Sequence, residues 1–156
     1  MENSRYILYV EDEANLRDFT AESLAIRMRK HGYTVQDFRR IDQAKEFFKA
    51  EKDNIACIVT DLNMSDEWLG EYRSMTEGGM LSGWVWLQKY VYPEKPEMPT
   101  IIYSGYLSFL ETTLGGNKQL SLLSEKTNII TVKKCNSEAD GFTGLEKALK
   151  KLKIPL

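Results

Sequence analysis

The sequence predicts one α/β domain: a five-stranded parallel sheet with helices on both faces. Three observations carry this. The 156-residue chain is the size of an ordinary domain with a real core. Five short apolar runs alternate with longer stretches of helical periodicity. Most of the runs are continuously apolar, as strands covered on both sides are.

YILYV (6–10) is the first such run. A helix is predicted over 13–31, with Leu16, Phe19, Leu24 and Met28 spaced by three to five residues, and Gly32 suits its end. YTVQDF (33–38) alternates as a second strand. Asp42 stands near the start of a second helix, whose Ala44, Phe47 and Phe48 suit one buried face. IACIVT (55–60) is the third strand. WVWLQKYV (84–91) follows a long polar segment and looks helical, with Pro93 soon after it. PTIIYS (99–104) is the fourth strand, and Leu107, Leu110 and Leu114 then fall at helical spacing. NIITV (128–132) is the fifth strand, and LEKALKKLK (145–153) a last amphipathic helix.

Composition narrows the function classes. With 21 basic and 23 acidic residues spread along the chain, the net charge is −2, which argues against direct nucleic-acid binding. Lys147, Lys150, Lys151 and Lys153 read as the solvated face of the last helix, near its C-terminus. The cysteines, Cys57 and Cys135, match no metal-ligand spacing, and the lone histidine, His31, excludes a two-histidine site. No stretch reaches the roughly 18–20 apolar residues that span a bilayer, and the N-terminus does not resemble a signal peptide. A cytoplasmic location without membrane contact is therefore expected.

In parallel sheets ligands gather outside the carboxyl ends of the strands. The residues there are Glu11, Asp12 and Glu13 after strand one, Asp61 and then Asn63 after strand three, Ser104 and Gly105 after strand four, and Lys133 and Lys134 after strand five. Carboxylates clustered without histidine or thiolate make a hard oxygen site, suited to Mg²⁺ that keeps several waters. A metal held this way engages phosphoryl oxygens, and a hydroxyl and an ammonium can take those that remain. Such a site does what phosphoryl transfer needs, and a central carboxylate can itself be the nucleophile.

Four stretches, ILYVEDE, IVTDLNM, IIYSGY and ITVKKC, resemble in order the signature stretches of the receiver domain of two-component response regulators. The likeness covers nearly the whole chain. It implies a single (βα)5 flavodoxin-like domain over 1–156, with an extended loop at about 65–82 and an expanded segment at about 107–127. By resemblance, Asp61 is the phospho-acceptor. Asp12 binds Mg²⁺ directly and Glu11 through water, with Asp61 and the Asn63 carbonyl completing the metal set. Ser104 follows the phosphoryl group, and a lysine pairs with the acids and then with the phosphate. That lysine usually precedes a proline; Cys135 takes the proline's place, which favours Lys134 over Lys133.

The implied partners are a histidine kinase or phosphotransfer protein upstream and another protein downstream. Beyond self-phosphorylation from a phosphodonor and autodephosphorylation, no enzyme activity is implied. In receivers the fourth helix and fifth strand commonly form an output or dimer face, so a homodimer through that face is an expectation. Several features depart from the pattern. Cys135 replaces the proline, and the preceding peptide bond is expected trans. Thr131 stands where the family carries an aromatic switch residue, with Tyr103 and Tyr106 as substitutes near Ser104. Ser65 stands where a proline is usual, and the loop after it holds Asp66, Glu67, Trp68, Glu71 and the pair Gly78–Gly79. That loop reads either as a surface insertion or as a lid or docking surface anchored by Trp68. Two rival functions remain: a receiver-like binding module that works without phosphorylation, and a Mg²⁺-dependent phosphohydrolase with Asp61 as nucleophile.

Overall fold

The structure is a computed structural model that describes residues 5–105, 128–134 and 138–154. Its strands are β1 (Arg5–Val10), β2 (Tyr33–Phe38), β3 (Ile55–Thr60), β4 (Thr100–Ser104) and β5 (Ile129–Lys133). They pair in parallel throughout, in the order β2-β1-β3-β4-β5. The helices are α1 (Ala14–Arg29), α2 (Ile41–Glu51), the short α3 (Ser82–Trp86) and α4 (Glu138–Lys151). α3 runs on into a π turn, Leu87–Val91. Among the described residues no helix is long and apolar enough to cross a membrane.

Successive strand residues point to opposite faces, so each strand feeds two cores. Leu8, Val10 and Ile58 pack with Ala44 and Phe48 of α2 and with Trp84, Val85 and Trp86 of α3. Ile7, Tyr9, Cys57, Val59, Ile101 and Tyr103 pack with Leu24 and Met28 of α1 and with Phe142, Leu145 and Leu149 of α4. This two-sided burial is why β1, β3 and β4 read as apolar runs, while the edge strands β2 and β5 keep exposed or half-exposed positions. Each fully buried Leu or Ile here contributes roughly 2 kcal/mol. Gly32 ends α1 as expected: it takes φ +80°, and its N–H closes on the Arg29 carbonyl at 3.1 Å.

Three expectations change. Phe19 is not on the buried face of α1: it is 39% exposed, and Thr20, Ala21, Leu24 and Met28 face the core instead. α4 begins at Glu138, well before Leu145. Gly141 and Gly144 weaken the helical signal there, but Phe142 is buried against the sheet, and a side chain at 144 would meet Val132 Cγ1 at 3.0 Å. Tertiary packing decides that turn. The segment after β3 is folded rather than an open loop, with 3₁₀ turns over Glu67–Met75 and buried Leu69, Thr76 and Leu81.

The bonds within that segment are local. Thr76 Oγ1 lies 2.8 Å from Asp66 Oδ2 and accepts from the Gly79 N–H at 3.1 Å. Asp66 also faces the Arg73 guanidinium at 3.4 Å, so its charge is compensated. Met64 N–H donates to the Gly79 carbonyl at 3.2 Å, and the Ser82 hydroxyl to the Met64 carbonyl at 2.8 Å. Gly78 and Gly79 take positive φ, +69° and +97°, as turn residues of this closure. The helix read at 107–114, Tyr106, Cys135 with its preceding bond, and the helix of the expected dimer face lie outside the described residues.

Candidate functional site at the strand ends

β1 is flanked by β2 on one side and β3 on the other, so the connections leave it in opposite directions and open a crevice at the strand ends. Backbone bonds lock the two acid-bearing termini into that crevice. Asp61 N–H donates to the Val10 carbonyl at 3.1 Å, and Glu11 N–H to the Phe38 carbonyl at 3.0 Å. Lys134 N–H donates to the Ser104 carbonyl at 3.0 Å and brings the end of β5 alongside.

The charges meet there. Lys134 Nζ donates to Asp61 Oδ2 at 2.8 Å and also to Glu11 Oε2. The other Asp61 oxygen, Oδ1, accepts from the Leu62 N–H at 2.7 Å. Glu11 Oε1 accepts from the Glu13 N–H at 3.2 Å. Of the two lysines considered, Lys134 is thus the one at the carboxylates; Lys133 ends β5 on its exposed side. The Lys134 ammonium also lies 5.4 Å from the centroid of the buried Tyr103 ring.

Two carboxylates, Glu11 and Asp61, share the one Lys134 ammonium with Asp12 close by, and the electrostatics show it. Burial, and then the charge of Asp61, push the Glu11 carboxyl up to about 8, more than Lys134 and the Glu13 N–H pull it down. Burial and Asp61 likewise raise Asp12, against the Ser65 N–H that lowers it. Burial alone would lower Lys134; the charges of Asp61 and Glu11 outweigh it, and its pKa stands above the ordinary lysine value.

A cleft of about 470 Å³ opens over this group, with Asp12, Asp61, Asn63, Ser65, Gly105 and Lys134 in its walls. Glu11 sits behind it, 1% exposed. Ser104 is wholly buried at the end of β4, and Gly105 forms the wall in its place. Thr131 is exposed, while Tyr103 is buried. Trp68 does not cover Asp61. It lines a neighbouring hollow of about 360 Å³ that shares Asp12, Met64 and Ser65 with the cleft. Arg40 holds the indole at 4.0 Å and pairs with Asp42 through bonds of 2.9 and 2.6 Å. Only Ser65 and Gly78 of the 65–82 segment reach the cleft itself.

One residue of the site was not marked in the sequence. Gly83, at the start of α3, lies directly against the Asp61 backbone: a Cβ there would fall 1.8 Å from the Asp61 carbonyl oxygen. Its N–H donates to the Leu62 carbonyl at 2.9 Å. The same Asp61 carbonyl accepts from the Thr60 hydroxyl at 3.0 Å, which in turn accepts from the Trp86 indole N–H at 3.3 Å. A Gly followed by a Trp-rich helix was the available signal, but the close approach is a tertiary fact.

Among the described residues no three acidic, histidine or cysteine side chains are arranged to hold an ion by themselves. The oxygen-only chemistry and the raised carboxyls of Glu11 and Asp12 nonetheless fit a hard cation. Mg²⁺ is commonly bound by one or two carboxylates, waters and a phosphoryl oxygen.

Among solved structures the chain is similar to a response regulator receiver domain from Clostridium thermocellum, at 15% identity and TM-score 0.54, covering 96% of this chain and 98% of that one. It is similar to the receiver domain of the hybrid histidine kinase CckA, at 22% identity and TM-score 0.54, covering 94% and 98%. It is also similar to the Francisella novicida lysine decarboxylase LdcF, at 12% identity and TM-score 0.51, covering 97% of this chain and 18% of that one. The chain therefore has the flavodoxin-like receiver fold. No protein-family model matches it, and no curated protein matches it in sequence.

Proposed function

We propose that this chain is a receiver module in which Asp61 accepts a phosphoryl group from the phosphohistidine of a kinase or phosphotransfer protein, with Mg²⁺, and thereby alters a surface read by another protein. The observation that carries this reading is the Asp61 carboxylate itself. It stands at the end of β3 on an open cleft, with one oxygen on Lys134 and the other on the Leu62 N–H. In the transfer, an Asp61 oxygen attacks phosphorus as the phosphorus–nitrogen bond breaks, and the imidazole leaves and takes a proton from solvent. Lys134 can exchange its bond to Asp61 for one to the phosphoryl oxygens while keeping Glu11. Bound through Asp12, Asp61 and the Asn63 carbonyl, Mg²⁺ would neutralise phosphoryl charge as it develops. Glu11 acts from behind, through Lys134 or through water.

The test is the mass of the intact protein after incubation with Mg²⁺ and acetyl phosphate. A gain of one phosphoryl group, absent from Asp61→Asn, is expected. Wild-type protein that neither gains mass with any small phosphodonor nor binds beryllofluoride would sink the reading. Rapid multiple turnover of phosphate esters would instead favour the hydrolase, whose second acid–base position is held by Asn63. A second reading, a binding module independent of phosphorylation, is favoured by the burial of Ser104 and the exposure of Thr131.

Tryptophan emission offers an independent check. Trp84 and Trp86 are 3% and 0% exposed, so a change of emission on adding Mg²⁺ is expected to come from the half-buried Trp68, beside Asp12. Trp68→Phe should abolish that change; a response that survives the substitution would contradict the assignment.

A further inference from the structure

We propose that a groove between α2 and the π turn binds an acidic segment of a partner protein, with one apolar side chain seated on its aromatic floor. The groove holds about 310 Å³, and Phe48, Tyr90 and Pro93 form its apolar part. Lys45 and Lys49 line it from one face of α2, four residues apart, and Lys52 from the 3₁₀ turn that follows. Lys89 faces them from the other wall. In a chain whose net charge is −2, this is a local concentration of positive charge against the overall balance.

The carboxylates nearby leave most of that charge unmatched. Glu94 pairs with Lys52 at 3.0 Å and so closes one end of the groove. Lys45 lies over the Tyr90 ring at 4.3 Å, and Lys89 over the Tyr72 ring at 5.2 Å. Tyr72 and Tyr90 themselves pack edge-on at 5.8 Å. Aromatic faces hold ammonium groups in place without neutralising them. No described carboxylate pairs with Lys45, Lys49 or Lys89. Three positive groups around an apolar recess, Lys45 and Lys89 of them held on aromatic rings, form a surface complementary to acids flanking an aliphatic or aromatic side chain.

The backbone supplies a second observation. The Tyr92 N–H donates to the Leu87 carbonyl at 2.9 Å, five residues back, which makes 87–91 a π turn. Such insertions recur at functional sites because they re-aim side chains without breaking the helix. Here Leu87 and Val91 stay wholly buried while Lys89 and Tyr90 remain accessible on the groove. A nucleic acid fits less well. Its backbone calls for a continuous basic track, whereas Glu94 blocks this groove and the recess suits one side chain. The proposal does not depend on phosphorylation of Asp61.

The test uses the whole chain and a short fluorescein-labelled peptide of Asp and Glu around one central Leu, read by anisotropy. Saturable binding is expected, weakened about tenfold by Lys45→Glu with Lys89→Glu. Tyr90→Ala should weaken the leucine peptide but not one with Gly in its place. Lys147→Glu, an exposed charge on α4 away from the groove, should change nothing. Amide shifts in a two-dimensional NMR spectrum should fall on 45–52 and 87–94. Absence of saturable binding, indifference to the two lysine reversals, or equal affinity for a single-stranded DNA of the same charge would overturn the proposal.

Discussion

Gly83→Ala is expected to lower the stability of the protein by about 3 kcal/mol or more and to abolish phosphoryl acceptance at Asp61. The new methyl carbon would stand 1.8 Å from the Asp61 carbonyl oxygen, 2.8 Å from its carbon and 3.0 Å from Leu62 Cα. All three are backbone atoms, so no rotamer change relieves the clash. Either the start of α3 or the Asp61 peptide must move. Movement of α3 disturbs Trp84 and Trp86, both deep in one core, and the Gly83–Leu62 bond. Movement of the peptide withdraws Asp61 from Lys134. Urea denaturation and the acetyl phosphate mass assay read the two consequences separately. Gly70→Ala is the comparison: nothing lies within 4 Å of its Cβ, and only its backbone (φ +55°, ψ −123°), a region that favours glycine, resists a side chain, a cost of about 1–3 kcal/mol. Equal unfolding midpoints for Gly83→Ala and wild type would show that the close approach is not a constraint.

Lys134→Met is the second large effect, and its sign depends on pH. The substitution keeps the length of the side chain but leaves Glu11 and Asp61 buried without their shared cation. Breaking a buried pair in this way costs about 3–5 kcal/mol. Glu11 already has a folded-state pKa above its ordinary value, near 8, and loss of Lys134 removes a group that holds it down. A raised folded pKa means that the native state binds a proton the unfolded chain has released. The stability from that proton is fully present below about pH 4.5 and is lost as pH rises through the folded value. The deficit of Lys134→Met should therefore be smallest near pH 5 and largest above about pH 8. Asp61→Asn should act in the opposite direction, since it removes a charge that raises both Glu11 and Asp12. Thermal unfolding across this range without added Mg²⁺ is the measurement. A deficit for Lys134→Met that is flat with pH would mean that Glu11 does not titrate there.

What could be read in the sequence follows from which forces act locally. The inner strands were legible because IACIVT, YILYV and TIIYS are buried on two faces, and the edge strand YTVQDF because it alternates. Asp61, Glu11 and Lys134 were legible because a parallel sheet places all its strand ends on one edge. Gly83 was not, because its constraint is the distance to another element. Phe19 was misplaced because helical spacing alone does not say how wide the buried stripe is, and Thr20 and Ala21 fill the contact instead. The 65–82 segment has no period, and its order comes from Asp66, Thr76 and Gly79 bonding across turns. The early start of α4 rests on Phe142 meeting the sheet, an interaction strong enough to outweigh two glycines.

The bonds that close the 65–82 segment have an architectural consequence. Met64 and Gly79 face each other, and Ser82 returns to the Met64 carbonyl. The chain thus leaves the frame and rejoins it at one point, as a detour rather than a link. Leu69 and Leu81 anchor that detour in the core, so only its exposed turn around Ser74 and Met75 can be lengthened or replaced without shifting β3 against α3. That makes the exposed turn a natural graft point for a foreign loop or an optical reporter, on the same segment that brings Ser65 and Gly78 to the cleft.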